Sequence, residues 1–220
     1  DGWWIVACGN KASHKAHVNP LSAPLRNRFT IIEMEPDFNQ WRNWAIKAGL
    51  HENVLAFMSS TSGQHLYSDP QDEYGNFPTP RSWAKLSHLL QSGISDREAI
   101  EGTVGKGAAN WFIQYVNEIK VMPNIDSLLE GKISYQDGPN KLSVTYAVVS
   151  NILFRALKSP ALVDKGAAVM LSIRPEISSL YFGGLLSQKG DKFMSAVLKS
   201  AHTKDWLAKH RNLLAPFEVK

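Results

Sequence analysis

The chain has 220 residues, 44% of them apolar, with a formal net charge of +4 and a single cysteine. That length holds one large domain or two small ones, with enough apolar material for a real core. No run approaches the ~20 apolar residues of a membrane span, and the lone Cys8 excludes an internal disulfide and argues against a structural zinc site.

The start, DGWWIVACGNK, lacks the basic opening and small-residue cleavage site of a signal peptide, so a cytoplasmic location is expected. Mild basicity permits nucleic-acid or phosphate partners without requiring them. The chain begins without Met and runs almost at once into the apolar stretch Trp3 to Cys8. Domains rarely start inside a core strand, so the chain is expected to be the C-terminal part of a longer protein. WWIVACGN is a continuous apolar run, aromatic and β-branched, stopped by Gly9-Asn10, and reads as a buried strand of a parallel sheet with Cys8 inside. Ligands bind beyond the carboxyl ends of such strands, which places Asn10 at that edge. A polar loop with His14 and His17 follows, then a helical turn near Ser22 to Asn27 and a second expected strand, FTIIEME.

Beyond Pro36 the pattern turns helical. Phe38, Trp41, Ala45 and Ala48 share one face, with Asp37 as N-cap and Gly49 as stop. A short helix is expected from Glu52 to Ser59. The stretch SSTSGQHLYSDPQDEYGNFPTP is rich in Ser, Gly, Asp and Pro and reads as a long loop. From Pro80 everything reads as helix: a capping box from Ser95 to Glu98, the segment GAANWFIQYVNEI, a stripe of Leu142, Tyr146, Val149, Leu153 and Leu157, and helices near 160–172, 178–186, 191–201 and 203–213. The expected class is mostly α, with two strands as the remnant of a parallel α/β core.

Three arginines carry the chemical interest. In FPTPRSW, Thr79 is a good N-cap and Pro80 suits the first helical position, so Arg81 lands in the first turn. A cation there opposes the helix dipole. It becomes sensible if an anion docks at the helix start, where free N–H groups and the guanidinium both reach it; the plain alternative is a solvated side chain or a salt bridge to the loop. Arg26 and Arg28, on the turn PLRNRF, either pair with Glu33 or Glu35 or project toward a neighbour, as arginines supplied in trans to a phosphoryl group do. Asn10 either closes a turn or orients a water. His14 and His17 have no third ligand in the pattern, so no metal site is assigned. GTVGKGA (102–108) fails the phosphate-loop pattern: Gly107 stands where Ser or Thr is needed after Lys106, and a helix precedes it. It reads as a helix-to-helix turn.

The order of a strand ending in Gly-Asn, then PLRNRF, then TPRSW opening a helix in an all-helical tail resembles the second half of an AAA+ ATPase of the MoxR-like branch, from about Trp3 to Gln91. The resemblance implies residues 1–36 as the end of the α/β core, 37–122 as a helical lid and 123–220 as an additional helical region. It implies that Asn10 is sensor 1, positioning the attacking water, that Arg28 is the arginine finger reaching a neighbouring subunit's nucleotide, and that Arg81 is sensor 2, contacting the γ-phosphate in cis. Arg26 matches less well, because many relatives have an apolar residue there. ATP and Mg²⁺ are the implied cofactors. A homo-oligomeric ring and a von Willebrand A-type domain protein are the implied partners, with nucleic acid less favoured and no membrane. The family's phosphate loop and Mg²⁺-binding Asp-Glu pair are absent from this sequence, so the chain by itself is not expected to hydrolyse ATP. Two other readings stand beside this one. PLRNRF and TPR also resemble branch-migration DNA motors, though the tail shows neither winged-helix alternation nor a dense basic stripe. A helical interaction module without nucleotide is the third, its seven tryptophans being mostly core.

Overall fold

Leu142 to Lys158 carries apolar residues on every side, and a helix of that kind must be wrapped by others. A computed structural model of the protein, which describes residues 2–9, 21–70, 75–188 and 191–217, places this helix at the centre. The α-helices among the described residues are α1 (Ala23–Arg26), α2 (Phe38–Lys47), α3 (Glu52–Ser60), α4 (Pro80–Gln91), α5 (Arg97–Val104), α6 (Lys106–Glu118), α7 (Ile125–Leu129), α8 (Leu142–Lys158), α9 (Val163–Met170), α10 (Pro175–Leu186), α11 (Asp191–Lys199) and α12 (Ala201–His210). A 3₁₀ segment, Arg211–Phe217, follows. The protein is mostly α.

α8 packs most extensively on α3 and α10, with α6, α7 and α9 completing its surround. Both main neighbours are themselves buried nearly all round: Val54 to Ser59 in α3 and Ile177 to Leu185 in α10 are all buried. Small residues allow the close approach. Gly184 lies so near α8 that a Cβ there would come 2.7 Å from Leu153 Cδ2, and a Cβ on Gly183 would run into the Phe217 ring. One continuous apolar core therefore extends from Trp41 to Phe217. Polar groups inside it are partnered across elements: Trp206 Nε1 donates to Ser178 Oγ at 3.0 Å and the Tyr181 hydroxyl donates to the Val163 carbonyl at 2.7 Å.

Local rules account for the helix ends. Asp37 caps α2, accepting from the Gln40 N–H at 2.7 Å, and Gly49 at φ +66° follows the helix. The cap of α5 is Asp96, accepting from the Ala99 N–H at 2.8 Å, one residue beyond the expected Ser95. Either side chain is a competent cap, and the choice of Asp96 puts Ile100 in the core. Gly105, at φ +82°, makes the sharp turn between α5 and α6 that GTVGKGA led one to expect, with the Asn76 carbonyl packed where a Cβ would stand.

The two expected strands do not form. Residues 2–9 and 28–36 contain no strand, and no strand occurs among the described residues. A strand is held by a hydrogen-bonded neighbour and cross-strand side-chain contacts, and no described segment supplies either. Trp3 is consequently 94% and Met34 91% exposed, and Cys8, expected inside, is exposed as well. Residues 2–9 and 21–37 contribute nothing to the core. The tryptophans divide: Trp41, Trp83 and Trp206 are buried, while Trp3, Trp4, Trp44 and Trp111 are not.

Two glycines separate propensity from packing. Gly183→Ala should destabilise the protein by about 1–3 kcal/mol by overpacking Phe217, despite alanine's better helix propensity. Gly102→Ala, with open space around it, should stabilise by about 0.5–1 kcal/mol. Chemical denaturation of the pair checks both signs.

A pH dependence follows from His51, the N-cap of α3. Its Nδ1 accepts from the Asn53 N–H at 3.2 Å and its own N–H donates to Ser87 Oγ at 2.7 Å. Burial pushes its pKa below the ordinary histidine value, the nearby Glu52 carboxylate only partly opposing this. The folded state thus resists a proton that the unfolded chain takes up near pH ~6.5. Stability should be complete above that pH and fall below it. His51→Asn, which keeps a capping acceptor, should flatten the fall in thermal melts between about pH 8 and 5.5; a slope as steep as wild type would contradict it.

Candidate functional site

The start of α4 is fixed from several directions. Thr79 Oγ1 accepts from the Ser82 N–H at 3.0 Å while Ser82 Oγ accepts from the Thr79 N–H at 2.8 Å, a reciprocal cap with serine in the usual Glu position. Pro80 occupies the first helical position, and its carbonyl accepts from Trp41 Nε1 at 3.2 Å. Two residues past Arg81, the fully buried Trp83 donates through Nε1 to the His65 carbonyl at 2.8 Å. Both tethers are buried tryptophans, so the helix start is held against α2 and against the long loop.

Arg81 itself is exposed, in a first turn that has no acidic residue. Thr79 and Ser82 satisfy each other's N–H groups and Pro80 has none, so the Arg81 N–H is the first-turn donor with no acceptor among the described residues. A free N–H, the positive end of a twelve-residue helix and a guanidinium fork converge at one exposed point. Such a point suits an anion.

The loop leading to this helix has its own chemistry, which the sequence pattern did not mark. His65 stacks on Phe57 (centroids 5.4 Å apart) and on Trp111 (5.6 Å), and burial pushes its pKa below the ordinary value. Phe77 and Pro78, which run into the Thr79 cap, line a cavity of about 190 Å³ together with His65, Lys106 and Trp111. Asn76 Nδ2 donates to the Gly102 carbonyl at 2.5 Å and pins the loop to α5. Only the position of a histidine within a long loop could have hinted at this.

Arg26 ends α1, where a cation suits the dipole, and Arg28 follows on the turn closed by its own N–H to the Leu25 carbonyl at 3.0 Å. Both side chains are exposed, and neither makes an ion pair among the described residues, so the expected pairing with Glu33 or Glu35 does not occur there. No hydrogen bond or ion pair among those residues joins either arginine to the start of α4. Asn10, His14 and His17 lie outside the described residues. No group of three His, Cys, Asp or Glu side chains among the described residues is arranged to hold a metal ion.

No family model matches the chain, and neither a curated protein nor a solved structure matches it.

The placement of Arg81 carries a stability cost that can be measured. Arg81→Glu should raise the stability of the free protein by about 0.3–1 kcal/mol, because a carboxylate suits that helix end. Thr79→Ala should lower it by about 1 kcal/mol through loss of the cap. Denaturant midpoints report both.

Proposed function

We propose that this chain is the C-terminal portion of a MoxR-like AAA+ ATPase that uses ATP hydrolysis to remodel or activate a protein partner. The observation that carries the reading is Arg81: exposed, without an ion-pair partner among the described residues, in the first turn of a firmly capped helix, with no acidic residue in that turn to balance the dipole. An anion is the missing member of that arrangement. Arg28 on the PLRNRF turn, exposed and without an ion pair among the described residues, supports the same reading.

In this proposal Arg81 contacts the γ-phosphate of ATP in cis, and its N–H and dipole add to the attraction. Arg28 reaches the nucleotide of the neighbouring subunit in a homo-oligomeric ring and stabilises charge on the transferring phosphoryl group. Asn10 orients the attacking water. Mg²⁺ and the phosphate cradle are assigned to segments outside this sequence, which carries neither a G-x-x-x-x-G-K-[ST] motif nor an apolar run ending in Asp-Glu. The 220-residue chain alone therefore does not turn over ATP. A von Willebrand A-type domain protein is the proposed partner class and the cytoplasm the proposed location. No helix among the described residues is long and apolar enough to cross a membrane.

Arg28→Ala and Arg81→Ala in the full-length protein should each reduce ATP turnover by about 10³-fold or more while leaving the circular-dichroism spectrum and melting temperature near wild type. Wild-type turnover in both variants would sink the assignment.

A further inference from the structure

Away from α4, the starts of α2 and α10 face a second cavity, of about 440 Å³, closed by the end of α3 and by α8. Its most unusual member is Arg42. The guanidinium lies 3.9 Å from the Phe217 ring centroid and 5.3 Å from that of Phe38, and Nη2 donates to the Pro216 carbonyl at 3.4 Å. Among the described residues Nε is buried with no partner and no carboxylate forms an ion pair with Arg42. Burial pushes its pKa down to about 10, which still leaves it charged at neutral pH. A half-buried charge with no ion-pair partner, and only the exposed Asp37 carboxylate acting on it from a distance, is costly, and aromatic faces return only part of that cost.

The other groups on the wall point the same way. Ser59, 6% exposed, lies on the wall, and its Oγ is closed off from solvent with no hydrogen-bond partner among the described residues, so that a turn about χ1 is what brings it to a ligand. Burial keeps the Tyr146 hydroxyl protonated, hence a donor. Ser62, also on the wall, is held at φ +51°, the one non-glycine residue with positive φ among those described. Backbone strain of this kind gathers at ligand sites. Two carboxylates are present, but both are exposed on the rim: Asp37 caps α2, and Glu176 sits in the first turn of α10. Set deeper than the carboxylates are a half-buried cation, the half-buried Tyr146 hydroxyl and the buried Ser59, and the starts of two helices of ten and twelve residues lie on the wall, opposed only by the end of α3. Phe38 and Leu180 make apolar wall, and the volume exceeds what a bare inorganic ion fills, falling in the range of small-molecule sites.

We propose that this cavity binds a small organic oxyanion, a phosphomonoester or carboxylate with a compact apolar body, gripped by the Arg42 guanidinium and the hydroxyls of Ser59 and Tyr146. The site is separate from Arg81 and does not rest on the ATPase reading.

The test is calorimetric titration of the 220-residue chain with phenyl phosphate, benzoate and inorganic phosphate as probes. Saturable one-to-one binding of phenyl phosphate or benzoate is expected, each tighter than inorganic phosphate; which of the two binds better identifies the head group. Arg42→Met should weaken the better probe by about tenfold or more, since a charge-assisted contact is lost. Because Arg42 also packs on Phe217, Ser59→Ala and Tyr146→Phe guard against a folding defect. The Ser59 hydroxyl is unpartnered in the free protein, so Ser59→Ala should leave the melting temperature unchanged or raise it and still weaken binding. No saturable binding of either organic probe up to about 10 mM, or binding that Ser59→Ala and Tyr146→Phe both leave at wild-type strength, would overturn the proposal.

Discussion

Burial of α8 on every side is the constraint on which the rest depends. Ala147, Val148, Val149, Ile152 and Leu153 are wholly inaccessible, and no single neighbour covers them all. α3 and α10 are both drawn onto its surface, and each is so apolar that it requires cover in turn. Gly183 and Gly184 let α10 come close, and Phe217 fills the space beside Gly183. The far C-terminal segment is thus tied to α2, where Arg42 and Asn43 both donate to the Pro216 carbonyl. Close packing of this many mutually dependent helices leaves little room for local misfits, so the ones that are kept stand out.

Two such misfits are the functional suggestions of the molecule. Arg81 stands on the surface against a helix dipole, and Arg42 stands half-buried against a desolvation cost. Neither has a carboxylate partner among the described residues. At each, helix starts with their positive ends lie close by, those of α2 and α10 near Arg42 and that of α4 at Arg81. An anion would convert both from a cost into an attraction, and this shared logic connects two sites that have no residue in common. Strain and unpaired charge are where a sequence departs from stability, and such departures gather at functional positions.

How much of this could be read from the sequence depends on how local the controlling physics is. Asp37, Phe38, Trp41 and Ala45 showed α2 because cap and period lie within one helix. Thr79, Pro80 and Arg81 showed the start of α4 for the same reason, and there the unusual cation could be recognised against a local rule. The cap at Asp96 rather than Ser95 was a choice between near-equal acceptors. WWIVACGN and FTIIEME were misread because an apolar, β-branched run states only a preference. A strand exists through its neighbour, and the described chain offers none. The cavity at Arg42 was not legible at all: its walls come from residues between Pro36 and Leu180 on four helices, and nothing about an arginine following Trp41 shows that Phe217 will close over it.

The most direct test of the ATPase account is to read the coding sequence upstream of the codon for Asp1. The account predicts an in-frame G-x-x-x-x-G-K-[ST] motif followed by an apolar strand ending in Asp-Glu, which would supply the phosphate cradle and Mg²⁺ ligands that Arg28 and Arg81 are proposed to serve. A start codon immediately before Asp1 would contradict it: no ATP site would be built, and the protein would stand as a helical module whose surface arginines serve something other than ATP.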